Sequence, residues 1–377
     1  MHLRSVHPDF VSGLFSQEIV PKKYIETVGT QGYLKQPIGT GPFKFVRGEL
    51  TGPIVLERYA GYHGGPADVP PVGAAFVDQV IFQVIPEASA RIAALQKGQV
   101  DIAIAVPPQM VPQLIADPNI KVKTAPGTTV YTVDMNCSKP PFDDVRVRRA
   151  MNYAADLGGI ATKLFAGYAI PLAGPLGIHN QFFDKELKPY GYDLKKAKEL
   201  LAEAGWKDTN GDGILDKDGK PFSLVIDVAT GGHKDVAEAV ASQLSSIGID
   251  AKIRLWESAA LNDAIKKKER TMALMSFGDA RGDPYSAFDY LYRTGDPNNR
   301  TFYSNPKVDQ LIDAGRAEAD PAKRKAIYLE AQRIVFDDAP AIFAYQLIKV
   351  EATRARVQNW EPNPTDRIDL YRVWLSK

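Results

Sequence analysis

The sequence predicts an α/β protein folded as two lobes, and three observations carry that reading. From Phe222 onward, apolar runs with strand character alternate with helical stripes in the order β, α, β. Between Thr128 and Asp156 a strand, a proline turn, a helix cap and an amphipathic helix follow one another directly. The length of 377 residues allows two cores, at roughly 150 residues per domain.

The first lobe is expected over residues 1–136 and 343–377, and the second over 137–342. Within the first, Ile54 to Tyr59 and Phe76 to Ile85 read as strands, and Glu87 to Lys97 as a helix closed by Gly98. The stretch Gly61 to Gly73, with Gly64-Gly65-Pro66 and Pro70-Pro71, is surface turn chemistry and not a domain break. No internal repeat or low-complexity tract interrupts the chain.

The run Thr128 to Asn136 alternates like a strand, and Pro140 and Pro141 cannot continue its ladder. Asp143 or Asp144 can accept the first helix N–H groups. Val147, Ala150, Met151 and Ala154 then recur at i, i+3, i+4 and i+7, which builds one apolar stripe and sends Arg146, Arg148 and Arg149 to solvent. Nucleic-acid binding by these arginines is the weaker alternative.

Further along, Phe222 to Val228 reads as a strand, and Val236, Val240, Leu244 and Ile247 as a helical stripe ending at Gly248. Ile249, Ala251, Ile253 and Leu255 alternate with polar residues as the next strand, Ser258 can cap a short helix, and Met272 to Phe277 is another strand. The repeated pattern argues for a largely parallel sheet covered by helices, with a binding edge where the strands end. Asn305-Pro306 and Asp320-Pro321 start two helices, since proline at the first helical position costs no hydrogen bond. Ala341 to Ile348 reads as a strand returning to the first lobe, so the chain crosses near Thr128 to Asn136 and near Ala341 to Val350.

With 46 basic and 45 acidic residues the net charge is +1, so no global field points to nucleic acid or an anionic membrane. No run approaches the roughly 18 uninterrupted apolar residues of a membrane helix, and Met1 to Phe10 lacks the apolar core of a signal peptide. Cys137 is the single cysteine, which rules out an internal disulfide and suggests a buried structural thiol. The histidines at 2, 7, 63, 179 and 233 show no metal-binding spacing, and nucleophile-elbow and phosphate-loop motifs are missing. No cofactor is expected.

The segment Pro141-Phe-Asp-Asp-Val-Arg-Val-Arg-Arg-Ala-Met-Asn-Tyr-Ala-Ala-Asp156 resembles a hallmark of the family 5 extracytoplasmic solute-binding proteins, the peptide- and nickel-type receptors of ABC importers. Gly39-Thr40-Gly41-Pro42-Phe43, Gly98-Gln99-Val100-Asp101-Ile102 and Phe277-Gly278-Asp279 through Asp283-Pro284 resemble three more of its motifs in the same order. The resemblance implies a type II periplasmic-binding-protein fold, an extracytoplasmic monomer that closes on a peptide or similar small solute, and a permease as partner. It also places Met1 inside the family's first lobe, so an incomplete first lobe and an upstream export signal are expected.

For the site, the resemblance carries Asp279 onto the family's amine-anchoring aspartate and Phe277 onto its usual tryptophan position. Gly278, Arg281 and Tyr285 share that loop. Dipeptide-type relatives hold the ligand carboxylate with an arginine near the end of the strand equivalent to Phe222 to Val228. Thr230-Gly231-Gly232 stands here instead, and leads into a helix whose first N–H groups can hold an anion. Tyr131 and Tyr345 lie on the crossing strands, where aromatic faces with polar tips suit a pocket. Two other readings stay open: a two-domain hydrolase using Asp279 and Asp283 as acid and base, and a nonbinding remnant. Asp208 to Asp218 imitates a calcium loop, but Gly219 stands where a closing Glu belongs, so no metal is assigned.

Overall fold

The computed structural model describes residues 10–14, 17–49, 51–65, 69–279 and 281–377. Its elements in chain order begin with α1 (Phe10–Leu14), α2 (Lys22–Lys35), β1 (Phe43–Arg47), β2 (Ile54–Arg58), β3 (Gln79–Phe82), α3 (Ala88–Gln96), β4 (Ile102–Ala103) and α4 (Val111–Ile115). Next come β5 (Ile120–Met135), α5 (Val145–Ala154), α6 (Leu157–Phe165), β6 (Ala169–Pro171), α7 (Leu194–Glu203), β7 (Asp216–Lys217) and β8 (Lys220–Pro221). The series β9 (Ser223–Ala229), α8 (Lys234–Ser245), β10 (Asp250–Trp256), α9 (Ser258–Lys266), β11 (Met272–Gly278) and α10 (Pro284–Tyr292) follows. The chain closes with α11 (Pro306–Ala317), α12 (Pro321–Asp338), β12 (Ala341–Arg354), β13 (Val357–Gln358) and β14 (Trp374–Leu375).

Two compact units result, one of Met1–Phe15 with Pro126–Ile348 and one of Ser16–Ala125 with Lys349–Lys377. The larger unit is built on a sheet ordered β10-β9-β11-β5-β12, with β6 also paired to β12. β10, β9 and β11 run parallel, as helical connections through α8 and α9 require. β5 is antiparallel to β11, with Leu274 opposite Val133, and β6 is antiparallel to β12. The sheet is therefore mixed, which corrects the expectation of a largely parallel one. Repeated β-α-β order constrains only its own strands, and the direction of β5 is set by non-local pairing.

α5 starts at an Asp144 cap, whose carboxylate accepts the Arg146 N–H at 2.9 Å. Val147, Ala150, Met151 and Ala154 are all fully buried against Val133, Ile226, Val240 and Leu244. Burial of side chains such as Val147 and Met151 contributes about 1.5 to 3 kcal/mol each. Arg148 departs from the solvated face expected for it. It is 7% exposed and donates to the Asp338 and Phe142 carbonyls, which lie beyond the helix. A second core gathers Phe288, Val308, Ile312, Tyr328 and Val335 from α10, α11 and α12. Asn305 and Asp320 cap α11 and α12 as expected, whereas α9 is capped by Glu257 and not by Ser258, its first helical residue. Cys137 is largely buried, and desolvation pushes its thiol up to about 12.

The smaller unit holds a three-stranded antiparallel sheet, β1-β2-β3, and β4 pairs with the far end of β12 through Ala103 and Ala352. α3 ends at Gly98, whose φ of +71° is the left-handed conformation a C-terminal glycine accepts without strain. The strand expected over Phe76 to Ile85 is confined to β3. Within the turn Gly61 to Gly73, Pro66 lies outside the described residues. Ile81 and Val72 are 57% and 72% exposed, and an apolar groove of about 820 Å3 runs between Gln79–Ile85 and Gln99–Ala105.

Few buried apolar contacts and short strands leave amides open to exchange. We expect amides of Val55 and Val80 in the smaller unit to exchange at least about tenfold faster than those of Val133, Ile226 and Leu274. Equal protection by hydrogen-exchange NMR would contradict this.

Candidate functional site

The carboxyl ends of β9 and β11, with the stretch of β5 around Thr128 to Tyr131, bring the candidate residues of the larger unit together. After β9, the Thr230 N–H and hydroxyl both donate to the Trp256 carbonyl, at 2.6 and 2.8 Å. Gly231 turns the chain with φ +83°, and His233 then occupies the cap position of α8. The turn expected to present helix N–H groups thus delivers an imidazole to the same place.

Three rings lie nearly parallel there. Tyr131 stacks on His233 and on Tyr345, with centroids 4.8 Å apart in both cases and planes within 18°. The His233 Nδ1 is hydrogen-bonded to the Tyr345 hydroxyl, and Phe165 closes the far side of Tyr345 at 4.9 Å. Tyr345 is 1% exposed, and burial raises its phenol above the usual range. Burial also lowers the His233 pKa from its ordinary value, a shift that nearby Asp235 opposes only in part. Tyr131 and His233 floor a cleft of about 310 Å3, walled by Ser258, Asn262, Ser276 and Arg300. That volume is at the small end of the roughly 300 to 1,000 Å3 typical of small-molecule sites. Arg300 donates to the Ser276 carbonyl at 3.0 Å and stands 3.0 Å from the Asp134 carboxylate.

The loop after β11 is organised by two carboxylates with different surroundings. Asp283 caps α10 through the Tyr285 N–H and receives both Arg324 guanidinium nitrogens, at 2.7 and 2.8 Å. Asp279 is 4% exposed and accepts from the Asn180 amide at 2.6 Å and the Gly282 N–H at 3.2 Å. The His179 imidazole stands 3.6 Å from it. Four other buried aspartates of this unit, Asp134, Asp184, Asp227 and Asp283, each face an arginine instead. Phe277 and Tyr285 pack partly into the core of α10 to α12, Tyr285 beneath Arg316 at 5.2 Å. Gly278 and Arg281 are exposed. Asp279, Thr230 and Gly231 therefore follow strand ends and Tyr131 and Tyr345 lie within β5 and β12 of the same unit, while Phe277 and Tyr285 are mainly packing residues.

Sequence reasoning missed His179, Asn180, Arg324 and Gln346. The site contacts that reveal them reach across 41 to 219 residues, so no local spacing signals them. In the turn Asp208 to Asp218, the Asp208 carboxylate accepts the Gly211 and Gly213 N–H groups at 2.7 and 3.0 Å. This is turn chemistry, and among the described residues no cluster of three or more His, Cys, Asp or Glu is placed to hold a metal.

The family model "Bacterial extracellular solute-binding proteins, family 5 Middle" matches residues 1–299. The chain belongs to this family. It is 30% identical over 353 residues to the oligopeptide-binding protein AppA of Bacillus subtilis, covering 91% of this chain and 63% of AppA. It is 26% identical over 371 residues to the dipeptide-binding protein of Escherichia coli, covering 95% and 66% of the two chains. The structure of the ABC transporter-associated periplasmic binding protein DppA from Helicobacter pylori, in complex with the peptide STSA, matches with a TM-score of 0.77 at 27% identity, over 100% of this chain and 72% of that one. The family 5 chain thus spans about two-thirds of the length of the curated relatives it matches. Its fold class is the α/β, two-lobed type II of these binding proteins. Among the described residues no helix is long and apolar enough to cross a membrane.

Two predictions follow from this geometry. Replacing Arg324 by Met strands a buried carboxylate, which costs about 3 to 5 kcal/mol; urea unfolding that changes by less than about 1 kcal/mol would contradict the assignment. For His233, the folded-state pKa lies below the ordinary 6.5, so the unfolded chain binds the extra proton. Stability is then complete above pH 6.5 and falls on acidification below it. The slope between pH 7.5 and 5.5 should shrink in His233→Phe, and an unchanged slope would remove this role.

Proposed function

We propose that this chain is a solute-binding receptor of an ABC importer, that its solute carries a positively charged amine, and that Asp279 receives that amine. The observation that carries the reading is the charge environment of Asp279. An ionised carboxylate removed from water requires a counter-charge, and among the described residues Asp279 is the one buried aspartate with no lysine or arginine partner. A ligand ammonium would supply it by a charge-assisted hydrogen bond. Asn180 and Gly282 donate to the carboxylate and hold it in position. The flat faces of Tyr131 and His233 and the cleft beside them suit a side chain of modest size.

Peptide binding by the relatives is consistent with this ligand class, and a peptide N-terminus is the simplest such amine. The receptor works as a monomer outside the cytoplasm and hands its solute to a permease. β5 and β12 each run from one compact unit into the other, and serve as the hinge on which the lobes close. Binding is favoured over hydrolysis because Asp283 is committed to Arg324 and to the α10 cap, so the two carboxylates are not free to act as an acid–base pair.

The experiment is calorimetry with trialanine as the probe. Asp279→Asn should weaken its binding by about 2 to 5 kcal/mol with little change in thermal stability. Wild-type affinity retained by a folded Asp279→Asn protein would contradict the amine site, and turnover of the peptide would favour the hydrolase.

A further inference from the structure

Gln346 on β12 reaches the Asp279 site through one imidazole. Its Oε1 accepts the Ile178 N–H at 2.8 Å, which orients the side-chain amide. The Nε2 group then donates to the Gly127 carbonyl and lies 3.0 Å from the His179 Nδ1. An amide nitrogen donates and does not accept. The His179 Nδ1 must therefore be the acceptor, and the ring proton sits on Nε2.

That Nε2 is 3.6 Å from the Asp279 carboxylate, beyond hydrogen-bond range, and is buried without a hydrogen-bond partner on a side chain only 7% exposed. Adding a second proton at Nδ1 would set an N–H against the Gln346 amide hydrogens and cost the ring its contact. Among the described residues, the charged group facing His179 is Asp279 at the end of β11. Its neighbours Asn180, on the same turn, and Gln346, on β12, are neutral.

We infer that Gln346 is a specificity-determining positioning residue. By holding His179 as the neutral Nε2–H tautomer, it keeps the protein from neutralising Asp279 itself and reserves that charge for a cationic ligand. The inference rests on the amine-site reading above. Replacing Gln346 by Glu supplies an acceptor for an Nδ1–H, makes His179 an imidazolium and fills the charge vacancy from within. His179→Lys places a cation beside Asp279 directly.

The test labels histidine with 15N in the full chain and uses His179→Gln to assign the signals. At pH 7 the wild-type ring should show a protonated Nε2 and a bare Nδ1, and Gln346→Glu should show both nitrogens protonated. Trialanine affinity should fall at least about tenfold in Gln346→Glu and in His179→Lys, each checked for folding by circular dichroism. A wild-type Nδ1–H tautomer or imidazolium overturns the inference whatever the peptide does. So does full affinity in both folded variants. The expected tautomer in a wild-type protein that ignores trialanine would instead overturn the amine-site reading.

Discussion

A carboxylate removed from water must find a counter-charge, and the larger unit is organised around that requirement. Asp227 draws Arg254 and Arg270 onto the end of its sheet and accepts the Trp256 indole N–H at 2.6 Å. Asp283 draws Arg324 from α12 to the start of α10, and Asp184 and Asp134 take Arg333 and Arg300. Such pairs stabilise the fold less than apolar packing of the same volume would, but removing one partner is expensive. They fix where loops can sit. Asp279 lies within this scheme, at the end of β11, with neutral donors in place of an arginine.

The aromatic group works beside it by a different principle. Tyr131 and Tyr345 come from the two strands that run between the compact units, and His233 comes from the cap of α8. Stacked rings pack tightly while leaving polar tips in contact with one another. The result is a flat floor for the cleft whose position follows the same strands that would move in a hinge. Gln346 stands one residue beyond Tyr345 and reports to Asp279 through His179. Tyr345, packed against the floor, and Gln346, beside His179, are thus adjacent residues of β12.

Local features were legible in the sequence. The helices after Asp144, Asn305 and Asp320 announce themselves through caps and 3.6-residue stripes, because both signals act within a few residues. The strand ends at Ala229 and Gly278 and the placement of Asp279 were readable for the same reason. What escaped was non-local. Arg148 belongs to the polar side of a helical wheel, yet the Asp338 carbonyl, 190 residues away, helps draw it inside. The antiparallel course of β5 depends on partners that are not sequence neighbours. His179 and Asp279 are 100 residues apart in numbering, and nothing near either one announces the other.

The central claim is that Asp279 waits for a cation that no lysine or arginine among the described residues supplies. Native mass spectrometry of the chain purified from its own host, followed by release and sequencing of the solute that accompanies it, tests this most directly. The account predicts a solute with a basic amine, such as a short peptide with an unblocked N-terminus, absent from Asp279→Asn preparations. A neutral or purely anionic solute, retained equally by the Asn variant, would contradict it.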